Sequence, residues 1–421
     1  MITVLENCRL CEKEFYKRSL KLIDTPLANE LYKSRDSAKK ADRFPLELVM
    51  CESCRHVQLR YIVDPKRLFD NYVYKSGTSS FFRKHFKDLA NSIAIKYKEK
   101  NGYVLEVGSN DGILLDELTS HGIRCIGVEP SGSLVAECNS RNLEVFEAYF
   151  DDKFTDFLLV KYGKASLVLG NNVFAHIQEL KRAFENVYKV LDSDGIFIFE
   201  VAHLKNILTD GIFDTIYHEH MSYHSAYSMD KFANSTGFKL FDIEKISPHG
   251  GSLRFFLTKN LNMKVTSSVK NIIQEEIKLG LHNENTLTKI GDNIVRIKAE
   301  SQRLTHYLTK NQHSKLIGYG APAKVVTFLA QVGLEEIEMV GIIEDNKHKQ
   351  GKYLPGSGIR IMSMEIMNKS IEENINPDND LVACFIFPWN LKVEIISKLA
   401  GLLPKGSKVI TFFPDVEMVA I

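Results

Sequence analysis

Two widely separated glycine-rich turns constrain the fold of this chain more than any other feature. Glu106-Val-Gly108-Ser-Asn110-Asp111-Gly112 and Gly318-Tyr319-Gly320-Ala-Pro322-Ala323-Lys324 each follow a short apolar run and open a helical pattern. Such a turn joins a strand to a helix, because glycine permits left-handed backbone and close approach of a ligand to free helix N–H groups. Around the first turn, apolar runs at Tyr103–Val107, Cys125–Val128, Ser166–Leu169 and Ile196–Val201 alternate with helical segments such as Gly112–Leu118. Around the second, the runs are Leu316–Tyr319, Met339–Ile343, Leu381–Phe387 and Lys408–Phe413. Alternation of this kind predicts βαβ units and mostly parallel, doubly wound sheets. The expected class is α/β, with two such domains in one chain.

The residues at the first turn select among ligands. Carboxylates in that loop repel a pyrophosphate, so Glu106 and Asp111 suit a ligand with ribose hydroxyls and positive charge, such as S-adenosylmethionine. Gly108, Asn110 and Gly112 would shape the loop around it. The next strand ends in Gly127-Val-Glu129-Pro130, where doubly wound sheets hold a ribose. Leu167–Gly170 runs into Asn171-Asn172-Val-Phe-Ala-His176, again at the carboxyl end of a strand. The second turn fits G-x-G-x-x-A, with Glu344 or Asp345 further on, and reads as a dinucleotide fingerprint. Lys324, in the first turn of its helix, adds a cation for phosphate; a nucleotide diphosphate and a nicotinamide dinucleotide fit it equally.

Upstream of both turns lie Cys8-x-x-Cys11 and Cys51-x-x-Cys54. Two such pairs supply the four soft thiolates of a closed, structural zinc site. Residues 1–65 are too few to build an adequate core alone, so metal would substitute for buried apolar area. The segments are therefore a zinc-binding module over 1–65, a ligand-binding domain over 66–260, a polar helical connector over 261–314 and a second Rossmann-like domain over 315–421. Within the second segment, Phe81 to Lys100 carries apolar residues at helical spacing.

Composition excludes several classes. The 421 residues are 44% hydrophobic and 25% charged, ordinary globular values. Lys and Arg number 54 against 53 Asp and Glu, a net charge of +1, which gives no case for a nucleic-acid binder. No apolar stretch is long enough to span a membrane, and Met1 to Arg9 does not read as a secretion signal. A reducing cytoplasm is the expected compartment.

Tyr217-His218-Glu219-His220-Met-Ser-Tyr223-His224 concentrates imidazoles, a carboxylate and phenols. Two chemistries compete there: zinc ligation, with His220 and His224 sharing a helical face, or acid–base catalysis near neutral pH. Further on, His249-Gly250-Gly251-Ser252-Leu-Arg254 combines glycines that admit a close ligand with an arginine suited to phosphate or carboxylate.

Taken together, these motifs resemble the sugar C-methyltransferases that act on nucleotide-linked 4-ketosugars, over nearly the whole chain. The resemblance implies a zinc-binding N-terminal domain, a central S-adenosylmethionine-dependent methyltransferase domain and a C-terminal Rossmann-like domain that helps hold the sugar nucleotide. It makes His220 the base that removes a proton beside the keto group. Tyr217 and Glu219 would line the same site, His176 would lie near the ketone or enolate, and Tyr72 or Tyr74 would close over it. Tyr319 and Lys324 would lie near the nucleotide, with His249 and Arg254 also on the substrate side. Methylation at C3 and at C5 are both compatible with the chemistry, and the oligomeric state is left open, a monomer being one expectation. The competing reading is an NAD-dependent sugar-nucleotide oxidoreductase using the second turn.

Overall fold

The computed structural model describes residues 2–14, 18–70, 75–97, 102–374 and 381–421. The chain forms two compact units: Met1–Arg18, Val49–Leu204 and Glu219–Asn283 make the first, and Ser19–Leu48, Lys205–His218 and Glu284–Ile421 the second. Among the described residues, no helix is long and apolar enough to cross a membrane.

The first unit is built on β1 (Val104–Val107), α1 (Ile113–Ser120), β2 (Cys125–Glu129), α2 (Gly132–Ser140), β3 (Val145–Glu147), α3 (Asp152–Tyr162), β4 (Ala165–Asn171), α4 (Leu180–Val190), β5 (Leu191–Ala202), α5 (Ala226–Ser235), β6 (Lys239–Ile246) and β7 (Ser252–Thr258). The strands order as β6-β7-β5-β4-β1-β2-β3. Strands β1 to β5 are parallel, and β7 joins antiparallel to both β5 and β6. That closing hairpin is the element the alternation of strands and helices did not announce. The central strands read as continuous apolar runs because both faces are covered. Phe197 and Phe199 pack with Phe174 and Phe184 on one face. Ile196 and Ile198 pack on the other with Phe86, Leu89 and Ile93 from a helix over Ser80–Tyr97. Helix α4 shows why sequence periodicity works here: Leu180, Ala183, Phe184 and Val187 form one buried stripe.

Within the cysteine-knuckle segment Ile2–Val4 runs antiparallel with Tyr61–Val63, and Val57–Leu59 joins the segment to Ser222–Tyr223.

The second unit carries β8 (Lys315–Tyr319), α6 (Lys324–Val332), β9 (Ile342–Ile343), β10 (Ile361–Met362), β11 (Val382–Ile386), β12 (Lys408–Thr411) and β13 (Glu417–Ala420). Their order is β10-β9-β8-β11-β12-β13, all parallel except the last pair. The two units cut across the four expected segments. Residues 19–48 belong with the C-terminal sheet, because Gln331 exchanges hydrogen bonds with the Ile23 backbone (2.9 and 2.8 Å). Gly356 N donates to Ala38 O (2.8 Å), and Arg43 pairs with Glu335 (2.8 Å). The expected connector is shared: its first helix, Ser267–Lys278, falls in the first unit, and its second, Thr286–His306, in the second.

A buried imidazole is a stability reporter. His224 is 1% exposed, and burial pushes its pKa down to about 4. The unfolded chain therefore binds a proton on this ring between about pH 6.5 and 4 that the folded chain refuses, so its contribution is present at neutral pH and lost on acidification. Between pH 7 and 5 the wild-type protein should lose about 2 kcal/mol more stability than His224→Asn. Urea unfolding of both proteins at the two pH values measures this difference.

Candidate functional site

The carboxyl ends of β1, β2 and β4 bring three acidic or amide clusters together in the first unit. Strand β1 delivers Glu106, and the chain then turns through Gly108 (φ 67°), Asn110 (φ 50°) and Gly112 (φ 72°) into α1. Glycine is required at 108 for a second reason: a Cβ there would lie 2.7 Å from Val173 Cγ2. Glu129, at the end of β2, folds back and accepts the Asn110 N–H (3.1 Å) and the Ser131 N–H (3.0 Å). Pro130 follows, half-buried. Asn171 Nδ2 approaches Glu106 Oε1 at 3.4 Å, and Asn172 (φ 56°) donates its N–H to Glu200 O at 2.8 Å.

The electrostatics of this pocket favour a ligand rich in donors. Burial pushes Glu106 well above the usual carboxylate range, against the Asn171 hydrogen bond. Burial also raises Asp111 and Glu129, although backbone N–H groups pull both the other way. Glu106 Oε2, Asp111 Oδ1 and Ser109 Oγ are buried atoms with no hydrogen-bond partner among the described residues. Unsatisfied buried acceptors are costly, and the ammonium and ribose hydroxyls of S-adenosylmethionine are donors of the matching kind. Ser109 is a residue that the motif alone did not single out. Glu200 is another: His85 Nε2 lies 2.8 Å from its Oε2. A lone acid inside the apolar run Ile196–Val201 was the available signal.

Two further loops carry the imidazoles. His176 lies five residues beyond the end of β4, and His220 just before Ser222–Tyr223; their rings meet edge to face with centroids 4.9 Å apart. Burial holds His176 well below the ordinary imidazole value, and the neighbouring His220 and His249 push in the same direction. His176 is therefore neutral at physiological pH. His249 (φ 56°) lies against Phe82, the rings tilted with centroids 5.2 Å apart. Glu219 is buried beside His220 in sequence, while Tyr217 is half-buried in the chain segment assigned to the second unit. The helical face imagined for His220 and His224 does not form. A turn leads into the strand Ser222–Tyr223, and His224 is buried with its Nε2 3.3 Å from Phe174 O. Tyr72 and Tyr74 lie outside the described residues.

Arg254, expected as an anion ligand, is instead committed inside the sheet. It is buried, with Nε 2.7 Å from Glu200 Oε1 and Nη1 2.6 Å from Glu244 Oε2. A guanidinium between two carboxylates on flanking strands has its charge balanced already.

In the second unit, the second glycine turn is closed from within. Glu344, at the end of β9, accepts the Ala321 N–H (2.8 Å) and the Asn346 N–H (2.9 Å). A Cβ on Gly320 would lie 2.2 Å from Pro388 Cγ, so this glycine admits a proline. A carboxylate thus occupies a donor that a dinucleotide pyrophosphate would need. Tyr319 OH donates to Asp345 Oδ2 (3.1 Å), and Lys324 Nζ lies 3.6 Å from Asp214 Oδ2 and 4.3 Å over the Trp389 ring. Burial lowers the Lys324 pKa, opposed by Asp214.

The four knuckle cysteines converge. Their sulfurs all lie within 4.8 Å of one another, with Cys8–Cys54 and Cys11–Cys51 each at 3.5 Å. A tetrahedral zinc with Zn–S bonds of about 2.3 Å needs sulfurs roughly 3.8 Å apart, so the set fits a closed structural ion.

Comparison with known proteins decides the family. A relative from Streptomyces niveus, C-methyltransferase NovU, is 30% identical over 422 residues, covering 100% of this chain and 98% of its own length. This chain belongs to the C-methyltransferase family. Family models agree along its length: a zinc binding domain over residues 8–69, a methyltransferase domain over 80–243 and a C-methyltransferase C-terminal domain over 247–414. Similar solved structures include magnesium protoporphyrin IX methyltransferase from Synechocystis PCC 6803 with bound SAH (14% identity, 42% of this chain, 83% of that one, TM-score 0.35). A methyltransferase from Clostridium acetobutylicum ATCC 824 is also similar (13% identity, 42% of this chain, 91% of that one, TM-score 0.34). The C-methyltransferase uses S-adenosylmethionine as methyl donor, and its cysteine cluster is a zinc site.

Replacing Cys51 by Ser should lower bound zinc from about one ion per chain to near zero and destabilise the first unit. Metal analysis of the purified protein with a urea melt checks both.

Proposed function

We propose that this C-methyltransferase acts on a nucleotide-linked 4-keto deoxysugar, methylating C3 or C5 through an enolate formed by His220. The observation that carries the reading is the His176–His220 pair, two imidazoles 4.9 Å apart beyond the carboxyl end of the central strand.

Carbon becomes a nucleophile when an adjacent carbonyl delocalises the charge left by deprotonation. A 4-keto group acidifies the hydrogens at C3 and C5. His220 takes one of them, a role imidazole fills because its basicity is matched to neutral pH. The developing enolate oxygen needs a hydrogen-bond donor in a site shielded from water. Neutral His176 supplies an N–H there without competing for the proton, since burial and its imidazole neighbours oppose its protonation. Glu219 lines the site with His249. S-adenosylmethionine, when bound, supplies a methyl group on a sulfonium, an electrophile for the enolate carbon. Glu106, Asn110, Asp111, Glu129, Asn171 and Asn172 hold it, with Glu129 on the ribose.

Incubation with S-adenosylmethionine and a panel of nucleotide-linked 4-ketosugars, followed by mass and NMR analysis, tests the substrate class. His220→Gln should reduce turnover by roughly 10²–10⁴ while leaving S-adenosylmethionine affinity intact. In D₂O without methyl donor, wild-type protein should exchange the hydrogen at the reacting carbon and the variant should not. Equal loss of turnover and cofactor affinity rejects the base assignment. Glu129→Ala should weaken S-adenosylmethionine binding about tenfold by calorimetry, the scale of one charged hydrogen bond.

A further inference from the structure

Arg9 sits inside the first zinc knuckle, between Cys8 and Cys11, and is 8% exposed. Its backbone N–H donates to Gln58 Oε1 (2.8 Å) on the strand after the second knuckle. Its guanidinium reaches Ser222, the cross-strand neighbour of Gln58, and the segment after His176. Nη1 donates to Ser222 Oγ at 2.7 Å, and Nη2 donates to Ile177 O and to Gln178 O, the latter at 2.7 Å. Nη2 also lies 3.8 Å from Met221 Sδ. Ile177 follows His176 directly, and Met221 and Ser222 follow His220.

We infer that Arg9 is a positioning residue for the reaction: from the zinc knuckle it holds the two imidazole-bearing loops in register. Burying a guanidinium is costly unless its donors are met; here Nη1 and Nη2 are met by the two loops beyond the histidines, while Nε finds no partner among the described residues. A planar fork of five donors is the group that can span two loops at once, which an ammonium cannot do with the same directionality. The zinc site is then more than a fold staple. The tetrahedral sulfurs fix the Cys8–Cys11 backbone, that backbone fixes Arg9, and Arg9 fixes where His176 and His220 meet. The ladder between Val57–Leu59 and Ser222–Tyr223 continues the same connection from the second knuckle, with Leu59 N donating to Met221 O at 3.0 Å. A displacement of about 1 Å at reacting groups costs on the order of 10²-fold in rate, so a clamp on both loops acts on turnover.

The inference rests on the proposed roles of His176 and His220, and the test separates the two. Full-length zinc-loaded Arg9→Gln and Arg9→Lys are compared with wild type for zinc per chain, S-adenosylmethionine affinity, kcat and KM for the acceptor, and the NMR resonances of the His176 and His220 rings. In Arg9→Gln, zinc and cofactor affinity should stay within about twofold and kcat should fall roughly 10²-fold with KM little changed. The two ring resonances should move, and Arg9→Lys should recover part of kcat. Wild-type kcat per folded molecule with a lowered melting temperature would show a purely structural residue and overturn the inference. Should Arg9→Gln lose zinc, Ser222→Ala decides, because it leaves the knuckle intact: a smaller kcat loss with moved resonances supports the clamp, and no change in either overturns it. Should His220→Gln keep its turnover, the base assignment falls by itself, and unmoved ring resonances in Arg9→Gln then overturn the clamp independently.

Discussion

Two backbone donors, the N–H groups of Met221 and Ser222, converge on the carbonyl of Ala175 at 2.8 and 3.2 Å. That junction ties the loop ending in His176 to the loop carrying His220, and the candidate chemistry depends on it. Neither loop belongs to a long regular element, so the backbone groups around the histidines have few ladder partners. They are satisfied by each other, by the short strand Val57–Leu59 and by Arg9. A site built on irregular backbone needs such closure, since unpaired buried polar groups are costly.

The cofactor side follows a different logic. There the parallel sheet does the positioning, because β1, β2 and β4 all end at the same edge and their first loop residues face a common space. Carboxylates at two of those ends and an amide at the third leave buried acceptors for a cationic, hydroxylated ligand. The same motif plays out differently in the second unit. Glu344 accepts the N–H of Ala321 and of Asn346 much as Glu129 accepts those of Asn110 and Ser131. In both turns the acid at the end of the neighbouring strand closes the loop. A G-x-G-x-x-A string therefore marks a strand–helix turn faithfully, while the ligand is set by what faces the turn.

Much of the fold was legible because it is periodic. The apolar runs of β1, β2, β4 and β5 and the stripe on α4 follow from burial on both faces of a parallel sheet. The cysteine pairs were legible because thiolate chemistry needs a fixed ligand number. Less visible were the β6–β7 hairpin, the transfer of residues 19–48 to the C-terminal sheet, and the internal pairing of Arg254. Two of these depend on a partner far away in sequence: Glu200 for Arg254 and Gln331 for Ile23. Local spacing carries no record of such partners.

By itself the sequence determined the α/β class, the two glycine turns, the four-thiolate cluster and the concentration of imidazoles at 217–224. Those features rest on local backbone preference and on residue type. Tertiary structure alone decided that His176 and His220 meet, that Arg254 is occupied by carboxylates, and that an arginine between two cysteines reaches both histidine loops. These are encounters between distant segments, fixed when burial forces each buried donor to find an acceptor.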